Sequence, residues 1–134
     1  MANNENESPA RKPLDWIGSS RKDLKEFPKR VRWVFGQALD DAQVGGKHPN
    51  AKPLKGFKGA GVLEVVESYD GDAYRAVYTV KFAGIVYVLH AFQKKSNSGR
   101  KTPPGDINTI HVRLKEAEKR YAEWARQQEK EEHP

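Results

Sequence analysis

Three consecutive segments in the middle of the chain have the residue pattern of β-strands. They are Val62–Tyr69, Tyr74–Phe82 and Ile85–Phe92. Asp70-Gly71, between the first two, is a dipeptide typical of a two-residue hairpin loop, and Ala83-Gly84 predicts a second tight turn. Strands joined in this way pair as antiparallel neighbours. The sequence therefore predicts a small, mainly antiparallel sheet of three to four strands at the centre of the fold.

A helical hairpin is predicted before these strands. Apolar residues recur there at spacings of three and four, which is typical of an amphipathic helix. This stripe consists of Leu24, Phe27, Val31, Val34, Ala38 and Ala42. Pro28 lies within it and should break the helix, since proline removes a backbone donor and clashes with the preceding turn. We expect the second helix to begin near Pro28 and to end at Gly45-Gly46. Leu14–Gly18 is a candidate for a brief edge strand.

A third helix is predicted after the strands, because Thr102-Pro103-Pro104 suits a first helical turn. Its buried stripe is Ile107, Ile110, Leu114, Ala117, Tyr121 and Trp124. The predicted class is thus α+β, with two N-terminal helices and one C-terminal helix. Residues 1–13 are expected to form a disordered arm, 14–126 the folded domain, and 127–134 a frayed acidic tail. The Lys- and Gly-rich stretch 47–61 is either a flexible connector or a basic loop that touches a nucleic-acid backbone.

Composition narrows the classes of function. The chain has 134 residues, a net charge of +6, a pI of about 9.5 and no cysteine, so disulfides and thiolate metal sites are excluded. The basic balance favours a polyanionic partner. We find no signal peptide or membrane-spanning run and expect a cytoplasmic protein that does not engage a membrane. The four histidines lack ligand spacing, and no phosphate-binding loop appears, so neither a metal nor a cofactor is expected.

Strand alternation places several polar side chains on one sheet face. With two-residue loops, the face containing Tyr74, Tyr78, Tyr87 and Leu89 is apolar and would pack on the helices. The opposite face would be open to solvent. On it we expect five side chains to converge, namely Glu64, Arg75, His90, Phe92 and Lys94. This inference depends on strand parity, which a β-bulge would reverse.

These residue types suit RNA cleavage without a metal. The reaction needs a base, a cation that stabilises the transition state and an acid. Glu64, Arg75, His90 and Lys94 are therefore the candidate catalytic residues. Candidate RNA-binding residues are Lys55, Lys58, Lys81, Phe92, Lys95, Arg100 and Lys101. Two structural alternatives stand beside this interpretation: an ordinary cross-strand ion pair between Glu64 and Arg75, and coverage of Phe92 by the C-terminal helix.

Several strings of residues, taken together, resemble the HigB-like, phage-derived branch of the RelE/ParE toxin superfamily. After the proline-broken helical hairpin they are Pro53-Leu54-Lys55-Gly56, Gly61-Val62-Leu63-Glu64-Val65, Tyr74-Arg75-Ala76-Val77-Tyr78, Tyr87-Val88-Leu89-His90-Ala91-Phe92-Gln93-Lys94-Lys95 and Thr102-Pro103. The resemblance covers roughly residues 14–124. It implies the toxin of a type II toxin–antitoxin pair, neutralised by a helix-turn-helix antitoxin. Within the matching strings, it points to Arg75, His90, Lys94 and Lys95 as functional positions.

Most toxins of this superfamily are ribosome-dependent mRNA endonucleases, so the resemblance implies that activity, with the ribosome and mRNA as partners. In this hypothesis Arg75 and Lys94 hold the scissile phosphate, while His90 and Glu64 transfer protons. One alternative is a ParE-type toxin that inhibits DNA gyrase by binding, since fold alone does not decide function. Another is a basic nucleic-acid-binding module without catalytic activity.

Overall fold

A computed structural model describes residues 10–94 and 101–132 of the chain. Within these residues, one five-stranded sheet is combined with three helices, which confirms the predicted α+β class. The elements in chain order are β1 (Leu14–Trp16), α1 (Ser20–Lys25), α2 (Lys29–Gln43), β2 (Ala51–Pro53), β3 (Val62–Tyr69), β4 (Asp72–Thr79), β5 (Val86–Lys94) and α3 (Pro104–Glu132).

The strand order in the sheet is β1-β5-β4-β3-β2. β1 pairs with β5 in parallel, and all other neighbours are antiparallel. The sheet has one strand more than predicted, because β2 forms within the stretch 47–61, which we expected to be a loop. The predicted edge strand near Leu14 is confirmed as β1.

The β3–β4 hairpin has the two-residue loop that Asp70-Gly71 predicts. Tyr69 pairs with Asp72 across it. Both loop residues have positive φ, 50° for Asp70 and 84° for Gly71. A loop of this kind matches the twist of the flanking strands and favours Asp followed by Gly.

The β4–β5 connection differs from the prediction. β4 ends at Thr79 and β5 begins at Val86, so Ala83-Gly84 lies in a longer loop rather than in a two-residue turn. The register also shifts: Val77 pairs with His90, whereas Tyr78 pairs with Val88. β5 therefore contains one extra residue, Leu89, as in a β-bulge, and such an insertion reverses the alternation of side chains on one side of it.

Both faces of the sheet are covered by helices, which corrects the predicted open face. α1 and α2 pack on the face that holds Tyr74, Tyr78 and Val88. α3 packs on the other, where the bulge has placed Tyr87 and Leu89. These two large side chains make the second face apolar, and burying it against a helix is favourable. On α3, Ile110, Leu114 and Ala117 are buried, as the stripe predicted.

The helix boundaries follow the sequence signals. Pro28 is the N-cap of α2, and Gly45, with φ of +85°, follows its end. α3 continues through Gln127, where we expected a frayed tail to begin, as far as Glu132. None of the described helices is long and apolar enough to cross a membrane.

Candidate functional site

The Glu64–Arg75 ion pair lies between two neighbouring strands. β3 and β4 place both side chains on the sheet face under α3, and Arg75 Nη1 lies 3.0 Å from Glu64 Oε1. Only 4% of the Arg75 side chain and 11% of the Glu64 side chain are exposed. The hydroxyl of Thr102 donates to the other carboxylate oxygen of Glu64, at 2.9 Å. A buried guanidinium is costly without compensating charge, which the Glu64 carboxylate supplies here.

His90 is held by two side chains of α3. Its Nε2 lies 2.7 Å from Asp106 Oδ1, and its Nδ1 lies 3.2 Å from Arg113 Nη1. A guanidinium can only donate, so Nδ1 accepts and the ring hydrogen is assigned to Nε2, which donates to Asp106. The residue is 8% exposed. Both ring nitrogens are thus engaged within the fold.

Arg113 joins three elements of the structure. It donates to the backbone carbonyl of Leu89 at 3.0 Å and to Ser19 Oγ at 3.1 Å. Ser19 Oγ in turn donates to Asp23, at 2.7 Å. Gly18 leaves room for the guanidinium: its φ is +57°, and a Cβ there would lie 2.7 Å from Arg113 Nε. Arg113 therefore ties α3 to the bulge of β5 and to the start of α1.

Less buried residues form the margin of this cluster. The rings of His90 and Phe92 stack with centroids 4.8 Å apart, and Phe92 is half-buried. Lys94 Nζ donates to the backbone carbonyl of Lys101, at 3.3 Å. Lys101 itself is exposed. Cations and an aromatic ring therefore lie beside the buried ion pair, at the end of β5.

The structure brings the five predicted side chains onto the same end of one sheet face, but it does not leave that face open. Arg75 and His90 are buried under α3, and Phe92 is partly covered, which was the structural alternative for Phe92. The predicted Glu64–Arg75 ion pair is present. The error lies in the assumption that the polar face had no covering helix.

The predicted RNA-binding residues are dispersed. Lys55 and Lys58 are exposed on the loop between β2 and β3, where they line a shallow depression of about 550 Å³. Lys81 lies 3.6 Å from Glu118 and 5.6 Å from the centre of the Phe82 ring. Lys95 and Arg100 lie outside the described residues.

Sequence reasoning missed Asp106, Arg113 and Thr102. Asp106 and Arg113 are seven residues apart, which is two turns of a helix, and Ile110 lies between them on the same face. The spacing was visible in the sequence. The apolar stripe of α3 indicates only which side of the helix is buried, and it does not include the polar residues that lie on that same side.

Two buried tyrosines lie in the core, Tyr78 on the face packed against α1 and α2 and Tyr87 on the face packed against α3. Burial raises the pKa of both Tyr78 and Tyr87 to about 12. Neither hydroxyl has a hydrogen-bond partner within residues 10–94 and 101–132. Both phenols therefore remain protonated at neutral pH, and neither is a candidate base. The described residues also contain no group of three or more His, Asp or Glu side chains that could hold a metal ion.

Comparisons with known proteins place the chain in a family. The profile of the family described as phage derived protein Gp49-like (DUF891) matches residues 22–115. No curated protein matches the sequence. A double-arginine mutant of the Escherichia coli toxin RelE in the free state aligns with a TM-score of 0.49 and 15% identity, over 80% of this chain and 97% of that chain.

A second solved structure is the toxin–antitoxin complex RelBE2 from Mycobacterium tuberculosis. It aligns with a TM-score of 0.43 and 17% identity, over 63% of this chain and 99% of that chain. The family match spans more than half of the sequence. The chain belongs to the phage-derived Gp49-like family, which is a family of RelE/HigB-type toxins.

Proposed function

We propose that this RelE-type toxin arrests translation by cutting mRNA on the ribosome, without a metal ion. The observation that carries the proposal is the Glu64 carboxylate, held between the guanidinium of Arg75 and the hydroxyl of Thr102 at the end of the sheet where β5 finishes in Lys94. A fixed carboxylate together with a guanidinium and a lysine ammonium meets the main requirements of phosphodiester cleavage.

Each participant in this scheme has a defined role. Glu64 accepts the proton of the attacking 2′-hydroxyl through a lone pair that Arg75 and Thr102 leave unused, and the O2′–P bond forms as the P–O5′ bond breaks. Arg75 is buried, so it fixes the Glu64 carboxylate and adds positive charge to the site without contacting the phosphate itself. Lys94 binds the scissile phosphate and protonates the leaving 5′-oxygen. Phe92 stacks on an unpaired base.

His90 receives a different role in this proposal from the one the sequence indicated. Its two ring nitrogens are both hydrogen-bonded to α3, so proton transfer to substrate would require those bonds to break. We assign it as a positioning residue, which orients Phe92 by stacking and anchors α3.

The proposal includes a cognate helix-turn-helix antitoxin as the physiological partner. RelE-family toxins pair with antitoxins. A short neighbouring reading frame whose product co-purifies with this protein and restores growth would support this part of the proposal. Failure of every neighbouring product to restore growth would contradict it.

The test is induced expression in a bacterial host, with growth recorded and mRNA 5′ ends mapped. We expect growth arrest with new 5′ ends inside translated regions. Glu64→Gln and Lys94→Ala should each abolish those ends, whereas Lys119→Ala, which removes an exposed lysine on α3, should not. If the double variant Glu64→Gln, Lys94→Ala cuts like the wild type, the assigned site is wrong.

A non-catalytic toxin is the second candidate, and inhibition of DNA gyrase by binding is the form that it takes in ParE-type toxins. Arg75 is 3% exposed and His90 8%, and the hydrogen bonds of both are consistent with a purely structural role. Growth arrest with an SOS response and no new mRNA ends would favour this ParE-type activity. If expression causes no growth arrest, a nucleic-acid-binding module without catalytic activity would be the remaining candidate function.

A further inference from the structure

The outward side of the α1–α2 hairpin carries a concentrated positive charge that the candidate site does not use. Six exposed cations lie there, and we call them the hairpin cations: Arg21, Lys22, Lys25, Lys29, Arg30 and Arg32. In the described part of the chain, the ion pairs of this group are limited to one contact, 3.8 Å between Arg30 and Glu67. Two acidic residues, Asp23 and Glu26, lie in the same stretch, and Asp23 is already bonded to Ser19. The surface therefore has a strong positive excess.

An indole ring stands among these cations. Trp33 is 66% exposed, whereas Val31 and Phe35, two residues before it and two after it, are fully buried. Lys29 lies one turn before it on the same face, and Arg30 is three residues before it. An exposed indole offers a large apolar surface and one N–H donor, and tryptophan is enriched at binding interfaces for this reason.

Gly36 lies one turn after Trp33 on the same exposed face of α2. Glycine weakens the interior of a helix relative to alanine. Nothing in the chain lies within 4 Å of a Cβ built at this position, and its φ is that of an ordinary helical residue. The fold itself therefore gives no reason for glycine here. A partner that approaches the helix backbone beside the Trp33 ring would supply one.

The balance of charge and apolar area indicates what kind of partner fits. A stable protein interface buries about 800 Å² on each side around a core of several apolar anchors. This face offers one such anchor and six cations. Cations that track phosphates, together with one aromatic ring that stacks a base, are the usual elements of single-stranded nucleic-acid binding.

We propose that the hairpin cations, Trp33 and Gly36 form a surface that binds single-stranded RNA. This surface is on the opposite side of the sheet from the Glu64–Arg75 pair, because α1 and α2 cover one face and α3 the other. It is therefore a second RNA contact, separate from the candidate cleavage site. It does not depend on whether the protein cuts RNA.

The test measures binding with cleavage removed. A fluorescent 2′-O-methyl RNA of about 12 nucleotides, a length within the usual range of single-strand sites, cannot be cut by attack of its own 2′-oxygen. Anisotropy titrations with the purified protein would give the Kd. Trp33→Ala should raise the Kd roughly 5- to 150-fold, the range expected for loss of one stacked base. Trp33→Phe, which keeps a ring, should retain most of the affinity.

Two further variants separate the contributions of charge and of backbone approach. Lys29→Ala with Arg32→Ala should reduce the slope of log Kd against log salt by about 1.4, or roughly 0.7 per lost phosphate contact. The matched pair Lys115→Ala with Lys119→Ala, exposed on α3, should leave the slope unchanged. Gly36→Ala should raise the thermal midpoint in circular dichroism and yet weaken RNA binding.

Specific results would overturn the proposal. A Kd for Trp33→Ala within twofold of the wild type would exclude the ring as a stacking platform. Equal loss of salt dependence in the α3 pair would show that the protein binds through its overall charge. If an acidic peptide of matched length binds as tightly as the RNA and through Trp33, the surface is a protein-docking site instead. Each result is independent of the mRNA-cleavage assay, so either proposal can fail alone.

Discussion

Replacing Ile110 by alanine tests whether α3 covers the second face of the sheet. Ile110 is fully buried against the face that holds Val77, Tyr87 and Leu89. The substitution removes three buried carbons, worth about 0.8 kcal/mol each, or roughly 2.4 kcal/mol. The cavity left behind adds to this, so we expect the free energy of unfolding to fall by roughly 3–4 kcal/mol. For a domain of this size, that corresponds to a drop in Tm on the order of 10–15 °C.

Urea denaturation followed by circular dichroism measures this loss, with the m-value checked for constancy. Val112→Ala is the matched control, because Val112 lies on the same helix and is 68% exposed. Its effect should stay within about 0.5 kcal/mol. If Ile110→Ala lowers the free energy of unfolding no more than Val112→Ala does, then α3 does not cover the sheet, and this face is open as the sequence predicted.

Two further predictions concern the space around Arg113 and the buried phenols. Gly18→Ala should lower the urea midpoint more than Gly45→Ala does. Both residues have positive φ, but a Cβ at Gly18 would also collide with Arg113, whereas a Cβ at Gly45 meets nothing. Equal losses in the two variants would refute the role assigned to Gly18. Unfolded tyrosine ionises near pH 10, while the pKa of Tyr78 is raised by burial to about 12, so the unfolding free energy should fall as pH rises from 10 to 12. Tyr78→Phe should reduce that fall and leave stability at pH 7 unchanged or about 1 kcal/mol higher, and an undiminished fall in this variant would contradict the prediction.

Local signals in the sequence were sufficient for most of the secondary structure. Pro28 divides the helical hairpin, Asp70-Gly71 makes the first β-turn, and the stripe containing Ile110 is the buried side of α3. These features depend on residues close together in the chain, where backbone preferences and periodicity determine the outcome. β2 was missed because three residues of mixed character carry too little pattern to identify a strand.

The part of the site that could be predicted is the part in which β5 keeps the expected pairing with β4. From Phe92 back to His90, the pairing with β4 follows the prediction. At Leu89 the bulge inserts one residue, and no glycine marks it in the sequence. The bulge turns Tyr87 and Leu89 toward α3, and this tertiary packing buries His90 and Arg75. The contacts of His90 with Asp106 and Arg113 depend on that packing, so pairing rules for neighbouring strands could not provide them.

The parallel pairing of β1 with β5 has a consequence for folding during synthesis. Leu14 pairs with Val86, and Ser19 is bonded to Arg113, so the first strand and first helix make their contacts with segments made much later. At about 5–20 residues per second, the nascent chain waits on the order of 4–14 s between making Leu14 and making Val86. During that time the β3–β4 hairpin can form from local contacts, while the edge that will receive β1 does not yet exist. The ion pair of Glu64 and Arg75 can therefore form early, whereas Thr102 and α3, which cover it, are synthesised after all five strands. We expect the finished site to appear only after α3 has left the ribosomal exit tunnel and packed on the sheet.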